Sequence, residues 1–270
     1  MPTLTDTELD AALDVALEAA DRAVTIARTT PVGSVETKRH AADHVTEVDR
    51  VTERMVRALV EERLPGHTVV GEEYGGTAGD GPTWFCDPVD GTTNLSAGLP
   101  WTSFSLALAV GPDPVVAVVA DPWRGEVMQA VAGRGCRIDD RLSQPDDVDT
   151  LTGGVVLTEW AGYRPWPGLL ALLDRLSGLL CTTRLMGSST LTLAHPAAGR
   201  TLGAIVGEFH PEDHLAAALL CSEAGLAVLD EDGRDNRFPS AGGMLVARRG
   251  VADELFGLWR DSVRGAVEVR

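Results

Sequence analysis

Hydrophobic residues at the start of the chain recur at three- and four-residue steps. Leu9, Leu13, Ala16, Ala20, Val24 and Ala27 share one stripe, which is the period of an amphipathic helix. The pattern predicts a helix over residues 6–29, capped by Thr5 or Asp6 and ended by Pro31 and Gly33. A second stripe, Val48, Met55, Leu59 and Val60, predicts a helix over 45–64, stopped by Pro65-Gly66. The period then shortens. Residues 67–70 and 84–86 read as short strands, and 104–110, 115–120 and 126–132 as successive longer ones. Gly111-Pro112-Asp113 and Pro122-Trp123-Arg124-Gly125 supply the turns between them, so the simplest arrangement is an antiparallel meander.

A polar stretch, Gln144-Pro145-Asp146-Asp147, separates this part from a second in which the elements alternate. Strands are expected at 154–157, 182–185, 204–206, 227–229 and 244–247. Helices are expected at 169–179, 189–198, 212–224 and 251–263. Alternation of this kind implies stacked α and β layers. We therefore expect an N-terminal α+β domain over 1–145 and a C-terminal α/β domain over 146–270.

Composition narrows the function. The chain has 270 residues, of which 44% are hydrophobic, enough for a packed core. Its net charge of −17 disfavours nucleic acid polymers and anionic membranes as partners, because both are negative. It does not exclude an anionic small molecule, since a metal ion reverses charge locally. Cys86, Cys136, Cys181 and Cys221 are widely spaced and form no CxxC pair, which argues against a zinc or redox motif. MPTLTDTELD has no apolar signal core, and no apolar run is long enough to cross a bilayer. The expectation is a soluble cytoplasmic protein with reduced thiols.

The chemistry concentrates in WFCDPVDGTTN, residues 84–94. Asp87 and Asp90 fall where a strand should end, a position from which a rigid sheet aims loop groups at a ligand. Two carboxylates so close repel each other unless a cation neutralises them, and Mg²⁺ prefers oxygen ligands of this kind. A helix starting near Thr92 would turn free N–H groups toward an anion. An isolated Asp-Gly pair is most often an ordinary turn, so the rival motifs matter. A calcium-binding EF-hand loop requires other acid offsets and a glutamate where Gly98 stands. A covalent aspartyl phosphatase requires D-x-D-G-T, whose first, nucleophilic aspartate would fall at Pro88, with Val89 between it and Asp90. More acids surround the motif: Glu72-Glu73 after a strand, Glu47 and Asp49 at a helix start, and Asp213 at another.

In that order, these pieces resemble the inositol monophosphatase family of lithium-sensitive, metal-dependent phosphatases. The matching stretches are 43–49, Gly71-Glu72-Glu73, 84–94, Met186-Gly187-Ser188 and the helix carrying Asp213 through Glu223-Ala224-Gly225. The resemblance implies a layered α-β-α-β-α sandwich, a homodimer, and hydrolysis of phosphate monoesters with two or three Mg²⁺ ions. It implies that Glu72, Asp87 and the Val89 carbonyl hold one ion, that Asp87, Asp90 and Asp213 hold a second, and that Glu72 and Glu73 help hold a third. It places Gly91 and Thr92, with Gly187, Ser188 and Lys38, against the phosphate. Thr92 paired with Asp49 would take the proton from the attacking water. The chemistry is coherent on its own, because cations offset the phosphate dianion and acidify water.

The expected substrate is a small polyol, cyclitol or sugar phosphate. The alternatives are a nucleotide-type ester such as 3′-phosphoadenosine phosphate, histidinol phosphate or fructose 1,6-bisphosphate; a binding protein without catalysis is a further reading. Three departures from the family bear on this choice. Glu212 stands where the family usually has tryptophan, and Val206 stands where the inositol enzymes place a hydroxyl-binding glutamate, with Glu208 nearby. Trp160, Tyr163 and Trp166 add aromatics that would either stack on a base or sugar face or pack in the core.

Overall fold

The computed structural model describes residues 4–79 and 81–268. The chain opens with α1 (Asp6–Thr29), whose first turn is closed reciprocally by Thr5 and Glu8: Glu8 N donates to Thr5 Oγ1 at 3.3 Å, and Thr5 N donates to the Glu8 carboxylate at 2.7 Å. A small antiparallel hairpin, β1 (Glu36–Thr37) and β2 (His44–Val45), follows. Next comes α2 (Glu47–Arg63), capped by Thr46 and by Asp49 reaching back to the Thr46 N–H at 2.9 Å. The helix therefore starts at Glu47 rather than at residue 45, because Thr46 is spent as the cap.

Then come β3 (Thr68–Gly71), β4 (Pro82–Asp90), α3 (Thr92–Ala97), β5 (Ser103–Val110), β6 (Asp113–Asp121), β7 (Glu126–Val131), β8 (Cys136–Ile138) and β9 (Arg141–Leu142). These seven strands form one sheet in sequence order. Its pairs are antiparallel except β3 with β4. The expected meander is present, with β8 and β9 as an extension the periodicity did not mark. The β4 strand runs past residue 86 into the acidic motif: Asp87 pairs with Ser105 and Asp90 with Ser103, and the register shifts between them. A bulge of this kind re-aims side chains within a ladder.

The second part contains β10 (Val155–Thr158), α4 (Leu169–Gly178), β11 (Thr182–Arg184), α5 (Ser189–Ala194), β12 (Gly203–Val206), α6 (Pro211–Glu223), β13 (Ala227–Asp230), β14 (Met244–Ala247) and α7 (Arg249–Glu268). Its five-stranded sheet has the order β11-β10-β12-β14-β13. The first three strands are parallel, and β14 runs antiparallel to both neighbours. The α5 helix ends short of the expected residue 198, before Pro196, which has no N–H to extend it.

Strand alternation sorts the core into layers. Trp84, Leu106, Leu108, Val116 and Val118 face α1 and α2, meeting Ala12, Val15, Ala16, Ala19 and Val56. Phe85, Ala107, Ala109, Ala117 and Val119 face the other way, onto α5 and α6. The same two helices also cover Ala204, Val206, Val228, Met244 and Val246 of the second sheet. Its outer face, with Val156, Ile205 and Leu245, packs against Leu169, Leu172 and Leu176 of α4 and Val251, Leu255 and Trp259 of α7. The result is the α-β-α-β-α sandwich. Its middle layer explains the sequence of α6, whose residues from Leu215 to Cys221 are apolar all round because sheets lie on both sides. Each fully buried leucine there contributes about 1.5–3 kcal/mol. All four cysteines are free and buried. Among the described residues, no helix is long and apolar enough to cross a membrane.

Candidate active site

The acidic residues converge on a cleft of about 200 Å³, whose walls include Asp43, Glu72, Asp87, Val89, Asp90 and Thr92. The β3 and β4 strands bring Glu72 and Asp87 there from neighbouring ladder positions, and Asp90 follows the bulge. Asp213 arrives from the first turn of α6 in the middle layer. Its backbone carbonyl is held by Thr190 Oγ1 at 2.6 Å, which ties α6 to α5.

Electrostatics show what this crowding does. Asp87 is buried, and burial is the main cause that lifts its carboxyl well above the usual range; Glu72, Asp213 and Asp90 push it further. Asp213 is raised in the same way, first by burial and then by Asp90 and Glu72, although the residue as a whole keeps some exposure. Asp90 is also raised by burial, but donors restrain it. Thr190 N donates to it at 2.8 Å, Ser189 Oγ at 3.3 Å, and Ser188 Oγ also donates to it. Asp87 has a single such donor, the Val89 N–H at 2.9 Å.

Glu72 and Glu73 meet Lys38, which reaches in from the β1–β2 hairpin. Its Nζ lies 2.7 Å from Glu72 Oε1 and also pairs with Glu73. Burial alone would lower the Lys38 ammonium pKa, but the two carboxylates outweigh it and raise it. Glu73 is pushed up to about 7, mainly by burial.

The proton pair is formed. Thr92 Oγ1 lies 2.9 Å from Asp49 Oδ1 and 2.9 Å from the Val89 carbonyl, so its one proton chooses between two acceptors. Asp49 is fully buried and accepts Thr46 N and Thr46 Oγ1 through its other oxygen, at 2.9 and 2.6 Å. Burial raises its pKa against those bonds.

Two glycines make the close approach across the cleft possible. Gly91 has φ of 89°, and a Cβ there would lie 2.8 Å from the Gly187 carbonyl oxygen. Gly187 has φ of 85°, and a Cβ there would strike Asn94 Nδ2 at 2.6 Å. Both positions need the left-handed region and the missing side chain at once. Asn94 then bridges the two turns, donating to Met186 O and Trp101 O at 2.8 Å each.

Three functional residues escaped the sequence reading. Glu159 is buried and accepts Met186 N at 2.6 Å, Gly187 N at 3.0 Å and Thr192 Oγ1 at 2.8 Å. Burial lifts its pKa to about 7 against those bonds. Glu53 is fully buried in α2 and accepts Glu73 N at 2.7 Å and Arg57 Nε at 2.8 Å, fixing the Glu72-Glu73 loop. His214 is neutral, its pKa lowered to about 3 chiefly by burial. Its Nδ1 accepts His210 N at 3.0 Å, which leaves Nε2–H to face Ser189 Oγ at 2.9 Å.

A cation fits this donor set. Asp87, Asp90 and Asp213 are hard oxygen donors that repel one another in a site that disfavours charge, and a divalent ion relieves both penalties. Among the described residues, no three His, Cys, Asp or Glu side chains already converge as a closed metal site. Instead Lys38 holds Glu72, and Ser188, Ser189 and the Thr190 N–H hold Asp90.

The architecture and site define a layered sandwich with an acid cleft between two sheets. The inositol monophosphatase family model matches residues 3–263, and the chain belongs to that family. It is 32% identical to inositol monophosphatase 1 of Solanum lycopersicum, over 84% of this chain and 87% of the relative. It is also 32% identical to Nus factor SuhB of Pasteurella multocida, over 81% of this chain and 83% of the relative. Its fold matches a Thermotoga maritima IMPase with a TM-score of 0.86 at 25% identity, covering 94% and 99% of the two chains.

Proposed function

We propose that the chain is a Mg²⁺-dependent phosphate monoester hydrolase acting on a small phosphorylated metabolite, with water as the nucleophile. The observation that carries this is the Thr92–Asp49 pair, formed at 2.9 Å on the wall of a cleft crowded with repelling carboxylates. Family membership supports the same reading. Glu72, Asp87, the Val89 carbonyl, Asp90 and Asp213 would hold the ions, with Glu73 contributing to a weaker site. When bound, Mg²⁺ supplies charge neutralisation for the phosphate dianion and acidifies water.

The chain's own residues do the rest. With its proton directed to Asp49, Thr92 Oγ1 has a lone pair free to accept one from water. Asp49 can take up the proton that Thr92 passes on, because burial makes it a stronger base than an exposed aspartate. The water oxygen forms its bond to phosphorus as the ester P–O bond breaks, and the alcohol leaves with a proton from solvent. Gly91 and Thr92 present backbone N–H groups to the phosphate at the start of α3, where no side chain caps the helix. Gly187 and Ser188 close the opposite side. Lys38 is a cation within reach of the same region once it releases Glu72. The family resemblance leads us to propose a homodimer as well, to be checked by sedimentation.

The test is phosphate release from a panel of inositol, sugar, histidinol and nucleotide monophosphates, with and without Mg²⁺. Mg²⁺-dependent release from at least one ester supports the proposal. Silence across the panel, with no cation binding by calorimetry, would overturn the proposal and favour a binding role without hydrolysis.

A further inference from the structure

Beside the acid cleft lies a small groove of about 60 Å³, and the two share Gly162 in their walls. The groove is lined by Trp160, Val206, Glu208, His210, His214 and Ser189, among others. Ser189 ties it to the acids through its 3.3 Å bond to Asp90. A molecule with its phosphate in the cleft has this groove available for the group it leaves behind.

The inner polar groups of the groove are spent. His214 uses both ring nitrogens, on His210 N and Ser189 Oγ. Ser189 is taken up by His214 and Asp90. Glu208 and His210 approach to 3.7 Å at the rim, where both side chains stay more than half exposed. Val206 offers only methyl groups, and its backbone pairs in the sheet with Met244. Trp160, in contrast, is 45% exposed and lines the groove. Of the other two aromatics in this loop, Trp166 is buried and donates to Glu159 O at 3.0 Å, and Tyr163 packs edge-on against His40 at 4.4 Å.

A polyhydroxyl ring placed here would surrender water from several hydroxyls and find partners for them only at the rim, in Glu208 and His210, which is costly. A flat ring would surrender little and gain stacking on the indole. We infer that the alcohol released at this site carries a flat aromatic or heteroaromatic ring that lies on Trp160, rather than a polyhydroxyl ring. This rests on the phosphatase reading and narrows it to phosphomonoesters of ring-bearing alcohols.

The test compares kcat/KM of the Mg²⁺-loaded protein for benzyl phosphate with that for inositol 1-phosphate and glycerol phosphate. Benzyl phosphate is expected to exceed inositol 1-phosphate by roughly tenfold or more, the size of one stacking contact. Trp160→Ala is expected to reduce that ratio by roughly tenfold, and Trp160→Phe to keep most of it. Independently of turnover, saturation-transfer NMR should reach the ring protons of benzyl alcohol and should fail in Trp160→Ala. The half-exposed position of Trp160 makes loss of fold in that variant easy to recognise by circular dichroism. Preference for inositol 1-phosphate, or a ratio unmoved in Trp160→Ala, overturns the ring inference and leaves the phosphatase reading standing. Silence on every ester overturns both.

Discussion

The two walls of the cleft differ in what they do with polar groups. On the phosphate wall, burial and the Glu72 charge raise the proton affinity of Asp87, Asp90 and Asp213 alike, and Asp90 adds to it at Asp87 and Asp213. Behind that wall, Glu53 and Glu159 are buried just as deeply, but each accepts hydrogen bonds from several donors. Both sets are buried acids, yet only the first sets several carboxylates against one another. Carboxylates crowded together are where a cation gains most, and a carboxylate held singly by several donors is where geometry is held. The contrast separates residues proposed for chemistry from residues that position them.

The sharpest way to break this contrast is Asp90→Asn. Mg²⁺-dependent kcat/KM should fall by roughly 10³-fold or more, because several kcal/mol of charge stabilisation depend on the ligand set. The metal-free protein should meanwhile become more resistant to urea, since one repelling charge is gone. Near-wild-type hydrolysis by this variant would remove the metal proposal.

Thr92→Val comes next. The shape is kept but the hydroxyl is lost, and kcat should drop by about 10²–10⁴-fold with KM little changed. An equal rise in KM would instead assign Thr92 to substrate binding.

The third prediction concerns the second set. Glu159 has a folded pKa of about 7 against an ordinary 4.5. Its contribution to stability is therefore fully present below about 4.5 and is lost as pH rises through about 7. Glu159→Gln keeps the Oε1 acceptor that serves all three donors and removes the titration. Relative to wild type, the variant should gain on the order of 2–3 kcal/mol between pH 5 and pH 8, read from urea unfolding without Mg²⁺. A constant difference across that range would show that the carboxyl does not titrate there.

The smallest effect is expected at Lys38. Its ammonium occupies Glu72 and Glu73 at a partly exposed site, where such pairs are weak. Lys38→Ala should lower the Mg²⁺ concentration for half-maximal binding by no more than roughly fivefold, measured by calorimetry.

The long elements were legible because their periods are long. The predicted span of α1 coincides with the observed one, and Met244–Ala247 does as well. The hairpin of β1 and β2 left no signal, since two-residue strands cannot display alternation and β1 is wholly exposed. The end of β4 was misplaced because Pro88 suggests a stop, whereas the ladder resumes past a bulge at Asp90. Asp87, Asp90 and Thr92 stood out because their types and spacing are unusual together. Glu53 did not, because a glutamate four residues before Arg57 looks like a solvent-facing helix pair. Glu159 did not either, because its partners are backbone N–H groups at positions 186 and 187, which no local pattern reveals. Trp160, Tyr163 and Trp166 had identical claims in sequence; only burial separates the core residue from the two at the surface.

The paired turns at Gly91 and Gly187 also bear on when the site comes into being. Asp90 and Thr190, bonded across that junction, are 100 positions apart in the chain. Closing so long a loop is slow compared with zipping up a meander of neighbouring strands. During folding, the first sheet can present Asp87 and Asp90 well before α5 and α6 settle into the middle layer with Asp213. The cleft thus matures late, and a chain whose middle layer has not yet docked would carry most of the acids in place without the enclosure that gives them their altered proton affinities.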